Sequence, residues 1–330
     1  MEITVLGAGS WGATLAALLF DNGHNVTLWE FDKKRAKDLQ DRKIKPFKAG
    51  AHLHEGMVVT SGFDSFADSQ AVLFAIPSQY MRSTCMLLKD NGISLHGKLI
   101  ISATKGIENN TLLRMSEVIN NVFRNVYNNI AVLSGPSHAE EVCRKIPTAV
   151  TSTAINIETA EKCRILFMND FFRVYNQTDI IGVEIGAALK NVFAIASGII
   201  DGLNYGDNTK AAIVTRGLRE LTKIGVALGG KEETFYGLSG LGDLMVTCFS
   251  RHSRNRSVGQ SIGEGKCLED AEKCLGMVVE GVKNTISAYE VGKKLNIELP
   301  IINEVYEVLF KNKNPLEAVN GLMTRKSKHE

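Results

Sequence analysis

The sequence has few of the features that mark secreted or membrane-spanning proteins. Its 330 residues include six cysteines without a C-x-x-C pair, and six prolines. Scattered cysteines in a chain of this size indicate reduced thiols rather than a disulfide framework. The chain opens on a strand-like run, not on a charged leader followed by an apolar segment. We therefore expect a cytoplasmic protein.

An excess of charge of one sign is also lacking. Lysine and arginine number 38 against 36 aspartates and glutamates, a formal charge of +2. Binding nucleic acid or an anionic membrane as a main task requires clustered positive charge, so we expect neither. The longest apolar runs, Ala13 to Phe20 and Ile185 to Ile200, are too short for a bilayer or contain Lys190. No integral membrane segment is predicted.

Strand-like and helix-length segments alternate through the first half of the chain. The β-rich runs are residues 2–6, 25–30, 71–77, 98–104, 130–135, 147–152 and 171–179. Such alternation predicts a mostly parallel, doubly wound sheet covered by helices. Beyond this part only long helical patterns follow. We predict an α/β protein with a Rossmann-type domain at residues 1–178 and an all-helical domain at residues 179–330.

The loop after the first strand has the pattern of a dinucleotide-binding turn. Gly7-Ala8-Gly9-Ser10-Trp11-Gly12 matches G-x-G-x-x-G between a predicted strand and a predicted helix. Gly7 permits the tight turn, Gly9 lets the backbone approach a pyrophosphate, and Gly12 permits close helix packing. This context favours a cofactor site over a glycine-rich turn that binds nothing.

The end of the second strand bears on the choice of cofactor. Glu30 is placed to accept hydrogen bonds from the adenosine ribose and to repel a 2′-phosphate, which favours NAD(H). Lys33, Lys34 and Arg35 follow it. They could hold a phosphate, although a solvated helix start is the favoured interpretation. The predicted cofactor is NAD(H) or NADP(H), with NAD(H) preferred.

A lysine interrupts the most apolar helical pattern, VEIGAALKNVFAIASGII at residues 183–200. Lys190 either extends its amine to solvent or serves a chemical purpose, because an unpaired buried ammonium costs several kcal/mol. Burial lowers the pKa of a lysine and makes it a better general acid. Asp243 could pair with this lysine, with Thr247 one turn later, accept a hydrogen bond from a substrate hydroxyl, or cap a helix. Asn191 could orient the lysine, bind substrate hydroxyls, or be a helix-surface amide.

A second cluster occurs in FSRHSRNR at residues 249–256. Ser253 is predicted to be a helix N-cap, with Arg254, Asn255 and Arg256 in the first turn. Free backbone N–H groups, the helix dipole and the forked guanidinium of an arginine would converge there on an anion such as phosphate. A nucleic-acid patch is the alternative, but neither an aromatic platform nor a longer basic stripe accompanies the arginines.

Several segments together resemble the bacterial NAD(P)-dependent glycerol-3-phosphate dehydrogenases. They are GAGSWGATLAALL, AIPSQ, ATKGIE, SGPSHAEEV, LKNVFAIASGIIDGL, GLSGLGDLMVTCFSRHSRNR and VVEGVKNT. The resemblance extends from the first strand to about Val319. It implies reduction of dihydroxyacetone phosphate, a phosphorylated triose, to sn-glycerol 3-phosphate for phospholipid synthesis. It is also compatible with a homodimer.

The resemblance implies site residues by matching motif. Implied cofactor contacts are Ser10, Trp11, Phe31, Lys105, Ala139, Arg254, Val278 and Glu280. Implied substrate contacts are Lys105, Gly135, Ser137, Lys190, Asp243, Ser253, Arg254 and Asn255. Lys190 is the implied general acid/base, so no metal is expected. Many bacterial relatives carry a basic residue at or near the position of Phe31. Its absence here puts the usual NADP preference in doubt.

Two other functions fit parts of the pattern. A β-hydroxyacid dehydrogenase would also place a lysine on a long helix after the sheet domain, but the SRN cluster and the GLGDL block speak against it. A non-enzymatic dinucleotide sensor would bind the cofactor without needing Lys190.

Overall fold

The computed structural model describes residues 1–41, 47, 50–275 and 279–326. Two compact units make up the chain. The first comprises Met1–Lys105 and Leu113–Glu184, and the second comprises Gly106–Leu112 and Ile185–Glu330. Residue 179, where the sequence places the domain boundary, directly precedes the helix in which the units divide.

An eight-stranded sheet forms the centre of the first unit. The strands are β1 (Glu2–Leu6), β2 (Asn25–Trp29), β3 (Val58–Thr60), β4 (Ala71–Phe74), β5 (Leu99–Ser102), β6 (Ile130–Ser134), β7 (Thr148–Ala154) and β8 (Phe172–Gln177). Their spatial order is β3-β2-β1-β4-β5-β6-β7-β8. Neighbours are parallel except β6 and β7, which are antiparallel. The predicted mostly parallel sheet is confirmed, whereas β3 was not predicted.

Helices cover this sheet and form most of the second unit. The first unit contains α1 (Ser10–Asp21), α2 (Lys33–Asp41), α3 (Ser65–Asp68), α4 (Met81–Asp90), α5 (Met115–Phe123), α6 (Ala139–Val142) and α7 (Ile157–Phe167). The units divide within α8 (Ile180–Gly202). The second unit continues with α9 (Asp207–Ala227), α10 (Glu232–Phe235), α11 (Asp243–Phe249), α12 (Arg254–Gly263), α13 (Leu268–Leu275), α14 (Glu280–Leu295), α15 (Pro300–Phe310) and α16 (Pro315–Met323).

The sheet is buried on both faces. Successive strand residues point to opposite sides, so Val5 and Leu73 join one apolar cluster, while Leu6 and Phe74 join the other. All four side chains are fully buried. Continuous apolar strands of this kind are typical of parallel sheets with helices on both faces.

Helix α8 provides the main apolar segment after the sheet. Within the described residues it is the one helix that is long and apolar enough to cross a membrane, and 94% of its apolar window is buried inside the protein. Such burial is that of a core helix.

Glycines bring α8 and α12 into backbone contact. A Cβ on Gly198 would lie 1.9 Å from the Arg256 carbonyl oxygen, and one on Gly259 would lie 2.0 Å from the Ile195 carbonyl oxygen. Gly202 and Gly263 continue the same arrangement one turn later. The glycines therefore fix the position of α12 against α8.

We predict that Gly198→Ala destabilises the protein, because the added methyl group would meet backbone that cannot rotate away. Overpacking of this kind costs about 1–3 kcal/mol, which urea unfolding would detect as a lower midpoint. Gly321→Ala on α16 is the matched control, since its Cβ would have its nearest neighbour at 3.4 Å. The control should be unchanged or more stable by up to about 1 kcal/mol. Equal midpoints for the two variants would contradict the proposed packing.

Candidate active site

The glycine loop of the first unit forms an open cradle. Gly7 has a φ of +103°, and a Cβ there would lie 2.6 Å from the Ala75 carbonyl oxygen. A Cβ on Gly12 would lie 1.9 Å from the Gly7 carbonyl oxygen, whereas one on Gly9 would meet nothing within 4 Å. The first and third glycines thus close the turn, and the second faces open space. This arrangement fits a pyrophosphate at the start of α1.

The first residues of α1 add polar groups beside the cradle. Ser10 opens the helix, and its carbonyl oxygen accepts a hydrogen bond of 2.7 Å from the Thr14 hydroxyl. The buried indole N–H of Trp11 has no hydrogen-bond partner among the residues that the structure describes. Buried donors are rarely left unpaired, so this N–H is an unusual feature beside the cradle.

The carboxylate of Glu30, predicted to bind the adenosine ribose, is contacted by residues that follow it in the chain. Glu30 accepts a 3.3 Å hydrogen bond from the Asp32 backbone N–H and lies 3.6 Å from Arg35 Nε. Arg35 also donates a 2.7 Å hydrogen bond to the Ala8 carbonyl oxygen of the glycine loop. The interpretation of Lys33, Lys34 and Arg35 as a solvated helix start is confirmed, because all three are exposed at the start of α2. The Arg35 guanidinium, 52% exposed, nevertheless contacts both Glu30 and the glycine loop. Phe31 beside it is 72% exposed.

Three predicted residues of the first unit meet at one carbonyl group. The Gly135 carbonyl oxygen accepts hydrogen bonds of 3.0 Å from Lys105 Nζ and of 3.0 Å from the Ser137 hydroxyl. Lys105 follows β5 and Gly135 follows β6, so both lie at carboxyl ends of parallel strands, where ligands bind in such sheets. Ala139 begins α6 close behind them in the chain.

Lys190 of the second unit is buried and paired. The side chain is 7% exposed, and Nζ donates hydrogen bonds of 2.6 Å to Asp243 Oδ1 and of 2.6 Å to the Thr247 hydroxyl. The Thr247 hydroxyl in turn donates to the Asp243 carbonyl oxygen at 2.6 Å. The predicted pairing of Lys190 with Asp243 is confirmed. Extension of the lysine into solvent is excluded.

Local glycines allow Asp243 to approach α8. A π-helical turn, Leu238–Gly242, leads directly into α11, of which Asp243 is the first residue. A Cβ on Gly186 of α8 would lie 2.8 Å from the Ser239 carbonyl oxygen, so the turn packs on the helix backbone. The small residues around Lys190 therefore make room for the loop that carries its partner.

Asn191 joins the lysine helix to α12. It is 4% exposed, and its Oδ1 accepts a 2.9 Å hydrogen bond from Asn255 Nδ2. Asn255 Oδ1 accepts another of 2.9 Å from the Gly281 N–H in α14, the helix that begins at Glu280. The alternative of Asn191 as a helix-surface amide is wrong. Val278, a predicted cofactor contact, lies outside the described residues.

The start of α12 has the geometry of an anion site. Ser253 is 3% exposed, and its hydroxyl accepts a 3.2 Å hydrogen bond from the Arg256 N–H, which confirms the predicted N-cap. The first-turn N–H groups of any helix, here those of Arg254 and Asn255, precede its intrahelical hydrogen bonds, and the helix dipole gives this end a partial positive charge. Arg256, also in this turn, contacts a different helix, because its Nε donates a hydrogen bond of 2.5 Å to Asp201 Oδ2.

Within the described residues, neither a reactive thiol nor a metal-binding cluster accompanies these groups. Burial raises the pKa of the Cys248 thiol, next to Thr247, to about 12, while Lys190 and Lys210 act in the opposite direction. A thiol with that pKa is not a nucleophile near neutral pH. In the parts of the chain that the structure covers, no group of three or more His, Cys, Asp or Glu side chains could hold a metal ion.

Comparison with known proteins agrees with this geometry. The profile described as NAD-dependent glycerol-3-phosphate dehydrogenase N-terminus matches residues 2–160, and the profile of the C-terminus matches residues 179–320. The chain belongs to the NAD-dependent glycerol-3-phosphate dehydrogenase family.

Relatives in this family match the chain along its whole length. The glycerol-3-phosphate dehydrogenase (NAD(P)+) of Fusobacterium nucleatum is 50% identical, with 100% of this chain and 98% of that protein covered. The enzyme of the same name from Thermoanaerobacter sp. is 46% identical, with 100% and 99% covered. The crystal structure of glycerol-3-phosphate dehydrogenase from Coxiella burnetii has a TM-score of 0.91 at 33% identity, with 98% of each chain covered.

We predict that replacing either Lys190 or Asp243 alone destabilises the protein more than replacing both residues together. Lys190→Met leaves Asp243 buried without its cation, which should lower the free energy of unfolding by about 3–5 kcal/mol. The double variant Lys190→Met/Asp243→Leu should recover most of this loss, because no unpaired charge remains. Urea unfolding of the wild type, both single variants and the double variant measures the coupling. Additive losses would show that the pair is not an isolated electrostatic unit.

Proposed function

We propose that this protein catalyses the reversible, NAD(P)-dependent reduction of dihydroxyacetone phosphate to sn-glycerol 3-phosphate, which supplies glycerol 3-phosphate for phospholipid synthesis. The observation that carries the proposal is the buried ammonium of Lys190, held at 2.6 Å by both Asp243 and Thr247. The neighbouring Asn191 is bonded to the first turn of α12. A proton donor and an anion site are thus joined in one unit, and family membership names the reaction that uses both.

Lys190 is the proposed general acid/base. The bound cofactor supplies a hydride to the carbonyl carbon of the substrate. Lys190 Nζ gives a proton to the carbonyl oxygen in the reductive direction and takes the proton from the hydroxyl group in the reverse direction. Asp243 stabilises the ammonium form, and Thr247 fixes its direction. A positioned acid of this kind is commonly worth about 10²–10⁴ in rate.

The first turn of α12 is the proposed phosphate site. The hydroxyl of Ser253 and the side-chain amide of Asn255 are used by the fold. We assign the contact with phosphate to the guanidinium of Arg254 and to the backbone N–H groups of Arg254 and Asn255. A charged fork and a helix N-terminus bind a dianion strongly.

The first unit holds most of the proposed cofactor contacts. They are Gly7, Gly9, Ser10, Trp11, Gly12, Glu30, Phe31, Lys105 and Ala139, with Arg254, Val278 and Glu280 from the second unit. The proposed substrate contacts Gly135 and Ser137 accompany Lys105 there. Glu30 favours NAD(H) through its carboxylate, although Arg35 at 3.6 Å reduces the repulsion of a 2′-phosphate. A homodimer, a cytoplasmic location and the lack of nucleic-acid binding stay predictions.

We predict that the protein oxidises NADH with dihydroxyacetone phosphate and is nearly inactive with unphosphorylated dihydroxyacetone. The reason is that the α12 site has nothing to bind in the second compound. Absorbance at the nicotinamide band measures both rates, and NADPH replaces NADH in a parallel series, where we expect a lower kcat/KM. Equal rates on the two ketones would remove the phosphate site from the proposal and favour a β-hydroxyacid-type enzyme.

We predict that Lys190→Ala lowers turnover at least about a hundredfold while cofactor affinity changes little. Steady-state rates give the first quantity, and quenching of tryptophan fluorescence by NADH gives the second. Lys273→Ala on α13 is the control, since this lysine is 74% exposed and should retain full activity. If Lys190→Ala retained wild-type turnover, the lysine would have no catalytic role. A dinucleotide sensor would also tolerate this substitution.

A further inference from the structure

A second charged cluster lies at the C-terminal end of α8. Asp201 accepts hydrogen bonds from Lys210 Nζ, at 2.7 Å to Oδ1 and 2.8 Å to Oδ2, and from Arg256 Nε at 2.5 Å to Oδ2. The three side chains are largely buried: Asp201 is 18% exposed, Lys210 9% and Arg256 19%. One carboxylate therefore joins α8, α9 and α12.

The cluster holds the first turn of α12, which also forms the proposed phosphate site. Arg256 is held twice, because its N–H bonds the Ser253 hydroxyl and its guanidinium bonds Asp201. Residues two apart on a helix point in nearly opposite directions, so Arg254 and Arg256 lie on different faces of the turn. The contact of Arg256 with Asp201 therefore holds this turn on α8 without using the face that carries Arg254.

The cluster also has a net positive charge. Two cations face one carboxylate, and the Lys210 ammonium lies 5.2 Å from the centre of the Phe249 ring at the end of α11. An uncompensated positive charge beside a helix N-terminus would attract an anion even without contacting it. The cluster could therefore act on a phosphate through position or through charge.

We propose that Asp201 is a positioning residue for the phosphate of the substrate. It holds Arg256 and so fixes the first turn of α12, whose Arg254 guanidinium and backbone N–H groups are the proposed phosphate contacts. The glycine contacts between α8 and α12 set the distance between the helices, and Asp201 sets the rotation of α12 about its axis. This inference rests on the proposed function, since it concerns the same phosphate site.

Removal of the carboxylate separates this inference from two competing accounts. Asp201→Asn adds one positive charge to the cluster. If the cluster acted by charge alone, the phosphate would bind more tightly to the variant. If Arg256 bound the phosphate directly and Asp201 merely competed for its guanidinium, the release of Arg256 from Asp201 would also tighten binding. Of these three accounts, the positioning role alone predicts weaker binding.

The test compares Asp201→Asn with the wild type. We expect the KM for dihydroxyacetone phosphate and the Kd for sn-glycerol 3-phosphate, measured by calorimetry without cofactor, to rise about tenfold, the effect of losing a charged hydrogen bond. Turnover at saturating substrate should stay within about threefold, because Lys190 and its partners are untouched. Glu269→Gln is the matched control, since it makes the same charge change at an 85% exposed position on α13. Its constants should equal those of the wild type.

The remaining outcomes decide against the inference. An unchanged or lower KM in Asp201→Asn overturns it, and so does a parallel loss of turnover and NADH affinity, which would reveal a general structural defect. Should Asp201→Asn fail to fold, Asp201→Glu keeps the charge and moves the carboxylate by one methylene. A several-fold rise in KM is then expected, and no change overturns the inference. A wild type that does not reduce dihydroxyacetone phosphate would refute the proposed function, independently of these variants.

Discussion

A buried ammonium must be matched by a nearby negative charge, and Lys190 meets this condition through Asp243 at 2.6 Å. The backbone around Lys190 is packed so that this negative charge can come close. Asp243 reaches the lysine because a π-helical turn packs directly on α8 at Gly186, where no larger residue would fit. The pair thereby fixes α11 on α8. Thr247, one helical turn after Asp243, adds a second partner to the same ammonium group.

The face of α8 that carries Lys190 explains the rest of the arrangement. Residues 7 and 11 positions apart lie nearly in line on a helix. Lys190, Ser197 and Asp201 accordingly form one stripe, which bonds α11, α9 and α12. Asn191, Gly198 and Gly202 form the adjacent stripe, which packs on α12 and, at the Asn191 carbonyl oxygen, on Gly281 of α14. The glycines of this second stripe provide the close backbone packing, beside the charged groups of the first.

Features that depend mainly on residues close together in the chain could be predicted from the sequence. The strand-glycine-helix pattern of residues 2–21, the cap at Ser253 and the pairing of Lys190 could all be read from the sequence. Strand β3 could not, because Val58–Thr60 is too short for a periodic signal. The reversed direction of β7 and the anchoring of Arg256 depend on residues distant in sequence. The glycines four residues apart in α8 and α12 were a visible signal of helix contact.

The two polar ends of the site are held at a fixed separation by one helix. Lys190 and Asp201 are eleven residues apart, which corresponds to roughly 16 Å along a rigid α-helix. Asn191, next to the lysine, bonds Asn255, while Asp201 bonds Arg256, so the first turn of α12 is attached to α8 at both ends of this interval. Adjacent residues of that turn thus contact α8 at points three turns apart. A helix attached in this way has little freedom to rotate or slide, which is the condition for binding a small dianion at a set distance from a proton donor.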